Sequence, residues 1–233
     1  MKETLPSAFM ARIKRTWLNP FHIVQATLER GLARHGDRIR GRVLDIGCGT
    51  KPYRRLFPGA TQYVGTETKR TFTPGNQADV TCFGEALPFR TGTFDAVVCT
   101  EVLEHVAEPS DFLREVERVM RPGGLLLLTT PQTWGLHEEP YDFYRYTKYG
   151  LQYLFRKAGF EMIEVAPTTG TLGTVGQRLS SFFYYRLGGR NRLLKPLAVV
   201  VCAPIQLVFA AADRLMGRHG DTINWIALGR KPS

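Results

Sequence analysis

The sequence predicts an α/β fold built on a parallel sheet that helices cover on both faces. Three observations carry this expectation. From residue 41 onward, strand-like and helix-like stretches alternate. The strand-like stretches include continuous apolar runs, such as Ala96-Val97-Val98-Cys99 and Leu125-Leu126-Leu127-Leu128, as expected of strands buried on both faces. The first of them, residues 43–50 (VLDIGCGT), runs from apolar residues through an acid into a glycine turn. Glycine takes positive φ without a Cβ clash, so such a turn lets backbone come close to a ligand.

Taken in order, Phe9, Ile13 and Trp17 share one helical stripe over 8–19, which Pro20 ends. That stripe suits packing on the core, a cap over a site, or contact with a membrane. A second helix is expected over 21–36. Strands follow at 42–46, 62–66, 78–82 and 94–100. Pro52 fits the first turn of a short helix after strand 1, where its missing N–H is no loss. The helix over 109–120 lines up Phe112, Leu113, Val116 and Val119 and stops at Arg121-Pro122-Gly123-Gly124. Strand 5 covers 125–130. Thr147 caps a helix that Gly159 closes, and strand 6 covers 160–166. Residues 171–221 break the rhythm: 178–192 is basic and aromatic, and 197–212 is almost wholly apolar apart from Pro204 and Gln206. Its apolar run is short for a bilayer span, which needs about 20 residues. A buried or dimer-interface helix pair, a monotopic membrane anchor and a true span remain three readings of it. A last strand alternates over 222–228. The domain organisation expected is an N-terminal helical cap (1–40), a core (41–170), a basic and apolar helical insert (171–221) and the last core strand (222–233).

Composition narrows the class. Of 233 residues, 43% are hydrophobic, enough for a sizeable core. Cys48, Cys82, Cys99 and Cys202 are scattered with no CxxC pair, so neither a disulfide framework nor a zinc site is expected, and no metal is assigned. The absence of a continuous apolar run at the N-terminus argues against a signal peptide, and a cytoplasmic location, or one at the inner face of the membrane, is expected. The net charge is +10 but uneven: +6 over 1–42, −3 over 43–170 and +7 over 171–233. Basic ends around an acidic centre suit an anionic partner, with a merely solvated basic surface as the plain alternative.

The residues around the glycine turn select its ligand. The dinucleotide fingerprint needs a third glycine three residues after the second, and Pro52 stands there. Asp45 would repel a pyrophosphate but suits a cation. S-adenosylmethionine (SAM) carries a sulfonium and an ammonium and no phosphate. Asp45 can order its ammonium end, while Gly47 and Gly49 admit it against bare backbone. Glu67, 22 residues beyond Asp45 at the end of strand 2, can accept both ribose hydroxyls. Asp79 can accept from the adenine amino group, with Val80 against the ring. Singly each acid has a structural explanation; together they sit at successive strand ends, where ligands of open α/β sheets bind.

These stretches, with YVGTE (63–67), ADVTCFGEALPF (78–89), FDAVVCTEVLEHV (94–106), RPGGLLLLTTP (121–131) and YRYTKYGLQYLFRKAGF (144–160), resemble the class I SAM-dependent methyltransferases, in particular the type 11 and ubiquinone/menaquinone-biosynthesis-like group. The resemblance covers roughly 41–168 and resumes at the last strand. It implies a Rossmann-like, doubly wound seven-stranded sheet, mostly parallel with the last strand antiparallel, interrupted by the helical insert. It implies SAM as cofactor and S-adenosylhomocysteine (SAH) as product. It assigns the methionine part to Asp45, Gly47, Cys48 and Gly49, the ribose to Glu67, the adenine to Asp79 and Val80, and the cofactor's flank to Thr100 and Glu101. Lys51 departs from the pattern, since many members carry a third glycine there.

Methyl transfer needs alignment of nucleophile, carbon and sulfur, and a base only if the acceptor carries a proton of high pKa. The acceptor wall is expected in 134–146, dense in aromatics and titratable groups. His137 is the leading base candidate, followed by Glu138 and Asp142. His105 could face the cofactor but fits better as a hydrogen-bonded histidine at the sheet edge, and Arg145 suits either an acceptor anion or a pair with Glu138 or Asp142. No Asn/Asp-Pro-Pro-Tyr stretch follows strand 4 and no nucleic-acid module is added. The expected acceptor is therefore small or lipid-linked, methylated on oxygen or carbon, with peripheral membrane contact through 178–217. The competing classes are a non-catalytic SAM- or SAH-binding protein, an RNA methyltransferase using the basic ends, and a nicotinamide oxidoreductase, which Asp45 and Pro52 oppose. The sequence leaves the oligomeric state open.

Overall fold

A computed structural model describes residues 16–69, 74–188 and 194–233. Most of the expected stripe over 8–19 lies outside them. The described elements are α1 (His22–Ala33), β1 (Gly41–Ile46), β2 (Ala60–Glu67), β3 (Val80–Thr81), β4 (Phe94–Thr100), α2 (Pro109–Val119), β5 (Met120–Pro131), α3 (Lys148–Lys157), β6 (Glu161–Pro167), α4 (Thr171–Gly188), α5 (Lys195–Met216) and β7 (Asn224–Arg230). The chain separates into two compact units. One combines the described residues up to Leu28 with Pro167–Ile223; the other holds Glu29–Ala166 and Asn224–Ser233.

The second unit contains the seven-stranded sheet, ordered β3-β2-β1-β4-β5-β7-β6. β1 pairs in parallel with β2 and β4, and β4 with β5. β7 enters antiparallel to β5, Leu127 opposite Leu228. This is the Rossmann-like, mostly parallel sheet that the sequence predicts. Strand order reverses at β1 and β4, so the carboxyl ends of these two strands open a crevice at the switch point. Beneath it, Leu44, Phe94, Val97, Leu126 and Leu128 pack with Phe112 and Leu113 of α2 and Phe155 of α3, all fully buried. β5 is longer than expected. Arg121-Pro122-Gly123-Gly124 does not separate helix from strand but belongs to the strand itself, and Gly123 and Gly124 bond to Lys231 after β7. A helix is absent after Pro52; a single 3₁₀ turn, Arg54–Leu56, stands there.

The first unit is built on α4 and α5. Its interior is unusually polar. Gln206 of α5 donates to Asn19 O at 2.5 Å and accepts from Ile23 N at 3.0 Å. Gln177 of α4 donates to Pro20 O at 2.9 Å. Asp213 near the end of α5 accepts from the N–H groups of Gly170 and Gly173, closing the N-terminus of α4. Among the described residues, α5 is the one helix long and apolar enough to cross a membrane.

Candidate functional site

The glycine turn follows β1. Asp45 is buried, and Tyr63 Oη donates to its Oδ2 at 2.8 Å. Burial pushes this carboxyl up to about 7, against the opposing pull of Tyr63 and Lys51. Gly47 has φ 68°, and a Cβ there would come within 2.3 Å of Val102 Cγ2, so only glycine fits. Cys48 is buried, its N–H bonded to Thr66 O at 3.0 Å and its thiol pushed up to about 12 by burial, which makes it a packing residue of the turn rather than a nucleophile. Gly49 N–H donates to Glu67 Oε2 at 3.1 Å, tying the turn directly to the end of β2.

Glu67 is buried at the cleft, and its other oxygen accepts from Thr68 N at 2.9 Å. Each carboxylate oxygen therefore keeps a lone pair for a hydroxyl donor. Asp79 is half-exposed and partly engaged: its Oδ2 accepts from Gly65 N at 2.7 Å and from Lys51 Nζ at 2.6 Å. The Gly65 N–H, then Lys51, hold its carboxyl below the usual range. Lys51 itself sits at φ 53°, the left-handed region where glycine is at ease, which gives a physical reason for the glycine many relatives carry there. Its stem crosses β2 at Gly65, where a Cβ would meet Lys51 Cε at 2.5 Å.

A cleft of about 530 Å³, open to solvent, lies at these strand ends. Gly47 and Glu67 line it, with His105 and with residues the sequence does not single out: Phe83, Val102 and Tyr141. Val80 lies in β3 opposite Thr66, and the apolar lining of that wall comes instead from Cys82 and Phe83. Asp45 and Thr100 stand outside the lining. Thr100 ends β4 opposite Thr129, whose Oγ1 donates to Glu101 Oε1 at 2.8 Å.

A second cluster flanks the cleft. Glu104 is fully buried. Thr130 Oγ1 donates to its Oε2 at 3.3 Å, while its Oε1 has no hydrogen-bond partner. Burial raises the carboxyls of both Glu101 and Glu104, and their mutual repulsion adds to the effect at Glu104. His105 Nδ1 donates to Tyr141 O at 2.8 Å, which leaves the Nε2 lone pair 3.8 Å from Glu104 Oε1 and 4.0 Å from Glu138 Oε2. His137 packs edge-on against His105, ring centroids 4.7 Å apart. Its Nδ1 faces Gly135 O and Asp142 Oδ2, both at 3.2 Å, so its Nε2 is likewise the basic nitrogen. Glu104, His105 and His137 each hold a donor atom within 4.8 Å of the other two. Sequence spacing assigned no metal ligands, yet one carboxylate and two imidazoles form a donor set suited to a divalent cation.

Asp142 does not fit a base. Burial would raise its carboxyl, but hydrogen bonds from Arg145 and from His137 N–H outweigh that and hold it at about 2. Arg145 is the structural partner of Asp142, gripping both its oxygens at 2.6 and 2.7 Å. The structure joins the two readings the sequence allows for His105: it lines the cleft and is hydrogen-bonded to Tyr141 O.

Residues 44–128 match the family model described as a methyltransferase domain. This stretch of the chain is a methyltransferase domain. Among curated relatives, a ubiquinone biosynthesis O-methyltransferase of Parvibaculum lavamentivorans is 36% identical over 100 residues, covering 38% of this chain and 40% of that protein. Its counterpart in Xanthomonas oryzae pv. oryzae is 30% identical over 139 residues, covering 52% and 58%. The chain thus spans about half the length of the curated relatives it matches. A solved SAM-dependent methyltransferase of Thermotoga maritima superposes with a TM-score of 0.58 at 16% identity, covering 96% of this chain and 97% of that one, a likeness of fold.

Proposed function

We propose that the chain transfers a methyl group from SAM to an oxygen or carbon of a small or lipid-linked acceptor, releasing SAH, in the cytoplasm at the inner face of the membrane. The observation that carries this is buried Glu67 in the cleft wall, tied to the glycine turn by the Gly49 N–H, with Asp45 buried beneath the turn and outside the lining. Two carboxylates beside a glycine turn repel a pyrophosphate and suit a cation carrying a diol. Glu67 holds the ribose, Asp45 orders the ammonium end across the turn, and Phe83 lies against the adenine. Asp79 offers its remaining oxygen, Oδ1, to the adenine amino group.

The relatives' name, ubiquinone biosynthesis O-methyltransferase, supports an oxygen acceptor on a quinone-type ring bearing an apolar tail. The acceptor oxygen attacks the methyl carbon in line, the carbon–sulfur bond breaks, and its electron pair stays on sulfur. The hydroxyl proton passes to an imidazole. His105 is our first choice because it lines the cleft with Nε2 free and Nδ1 anchored; His137 supports it. A second reading of the same cluster rests on the unpaired, buried Glu104 Oε1. A divalent cation held by Glu104, His105 and His137 would lower the pKa of an acceptor hydroxyl.

Calorimetry tests the cofactor. SAM and SAH are expected to bind in the micromolar range, with Glu67→Ala losing about 10-fold or more, the worth of a charge-assisted hydrogen bond. Tighter binding of NAD than of SAH would refute the assignment. For the base, His105→Ala should lower kcat by about 100-fold or more with SAM affinity nearly unchanged. Loss of turnover on chelation, restored by a divalent cation, would instead favour the metal reading.

A further inference from the structure

We propose that the outward face of α5, with the arginines near it, is a docking surface for an anionic lipid bilayer and lies along that surface rather than through it. The inference deepens the lipid-linked reading of the acceptor but needs no SAM, so either can fail alone.

The helix is apolar on both sides: it buries Ala198, Val199 and Cys202, yet its outward face is apolar too. Its inward positions include Gln206 and Asp213, both buried and bonded to backbone groups within the same unit. Its outward positions are Leu197, Val200, Pro204, Leu207, Ala211 and Leu215, spaced three or four apart. Val200 and Val208 are each 62% exposed and Leu215 is 88% exposed. Single exposed apolar residues are ordinary. A stripe along 22 residues of helix, roughly 33 Å long, marks an interaction surface.

The charge says what covers it. Arg214 and Arg218 are exposed at the C-terminal end of α5, and Arg178 and Arg186 are exposed on α4 beside Phe182, which is 59% exposed. Residues 171–233 carry nine Lys and Arg against two Asp. A second copy of this chain would bring like charges together at its own interface. A bilayer surface rich in anionic headgroups accepts both the apolar stripe and the arginines. A spanning orientation conflicts with the inward face. Gln206 bonds Asn19 and Ile23, and Asp213 bonds Gly170 and Gly173, so crossing would strip or drag in these polar partners.

Vesicle flotation tests this with the full chain, using phosphatidylcholine vesicles with and without phosphatidylglycerol. The chain is expected to float with the phosphatidylglycerol vesicles, to float poorly with phosphatidylcholine alone, and to be released by high salt. Val200→Asp with Val208→Asp should cut the bound fraction by about 10-fold or more, because two buried valines are lost. SAH binding by this variant, unchanged, shows that it is folded. Arg214→Gln with Arg218→Gln should abolish the preference for phosphatidylglycerol. No flotation, or flotation indifferent to the valine substitutions, overturns the proposal. A dimer in sedimentation velocity that the same valine substitutions dissolve assigns the face to a second copy and overturns it too. Resistance of vesicle-bound chain to alkaline carbonate extraction would overturn the in-plane orientation.

Discussion

At the residue scale, Asp45 decides how the site responds to pH. Burial lifts its carboxyl to about 7, so the free protein holds it largely neutral below that pH. A cationic ligand needs the carboxylate and must therefore displace the proton. Affinity for SAH is expected to be level above about pH 7 and to fall toward tenfold per pH unit below it, until the bound-state pKa is passed. Calorimetry in buffers of different ionisation enthalpy should detect a proton released on binding near pH 6.5, and Asp45→Asn should remove both the release and the slope. Stability follows with the opposite sense. A folded pKa raised above the unfolded value contributes stability that is whole below about pH 4 and is lost as pH rises through about 7. Apo Asp45→Asn should accordingly gain on the order of 4 kcal/mol relative to the wild type between about pH 4 and pH 8, read by urea unfolding. The acids of the turn were legible in sequence because each closes a strand. The histidine pair was not: His105 and His137 lie on separate loops, and only folding brings their rings to 4.7 Å. Asp142 failed as a base for the same reason, since its grip on Arg145 is a matter of side-chain geometry.

At the scale of elements, the two best-defined helix starts differ in how far away their caps lie. Thr147 Oγ1 accepts from Gly150 N at 3.1 Å, three residues on, and the Thr-to-Gly159 helix was readable from local chemistry. Thr147→Ala should cost about 1 kcal/mol. The start of α4 is closed by Asp213, 40 residues beyond Gly173, at the far end of α5. No local pattern reveals that bond. Asp213→Ala leaves buried N–H groups of Gly170 and Gly173 without this acceptor and should cost about 2–3 kcal/mol in urea unfolding. Asp213→Asn, which keeps one oxygen in position, should recover part of it. Equal stability of Asp213→Ala and wild type would mean that α4 finds another cap. The Arg121–Gly124 turn misled in the other direction. Proline and glycines read as a break, but Gly123 and Gly124 bond to Lys231, just past β7 and about a hundred residues later, and that pairing draws the segment into the sheet.

At the scale of the molecule, alternation and apolar runs were sufficient for the parallel sheet, because burial on both faces leaves a direct imprint on composition. Within the unit built on α4 and α5, another kind of contact operates. Asn19 O and Gln206 Nε2 are 187 residues apart in sequence, and such a bond between polar groups leaves no hydrophobic period to read. The methyltransferase domain itself offers a test that separates a cofactor from a coincidental cleft. A ligand that binds only the folded state stabilises it by about 2.7 kcal/mol at a hundredfold excess over its Kd. For a chain of this size that corresponds to a rise in Tm of roughly 5–10 °C. SAH should produce such a shift, rising with the logarithm of its concentration. NAD, whose pyrophosphate meets Asp45 and Glu67, should produce none at the same concentration. Glu67→Ala should flatten the SAH response while leaving the apo Tm within a few degrees, since Gly49 N–H and Thr68 N–H then lose their carboxylate at a solvent-open cleft where water can replace it. An SAH shift that survives Glu67→Ala intact would mean that the cofactor is held elsewhere than at the ends of β1 and β2.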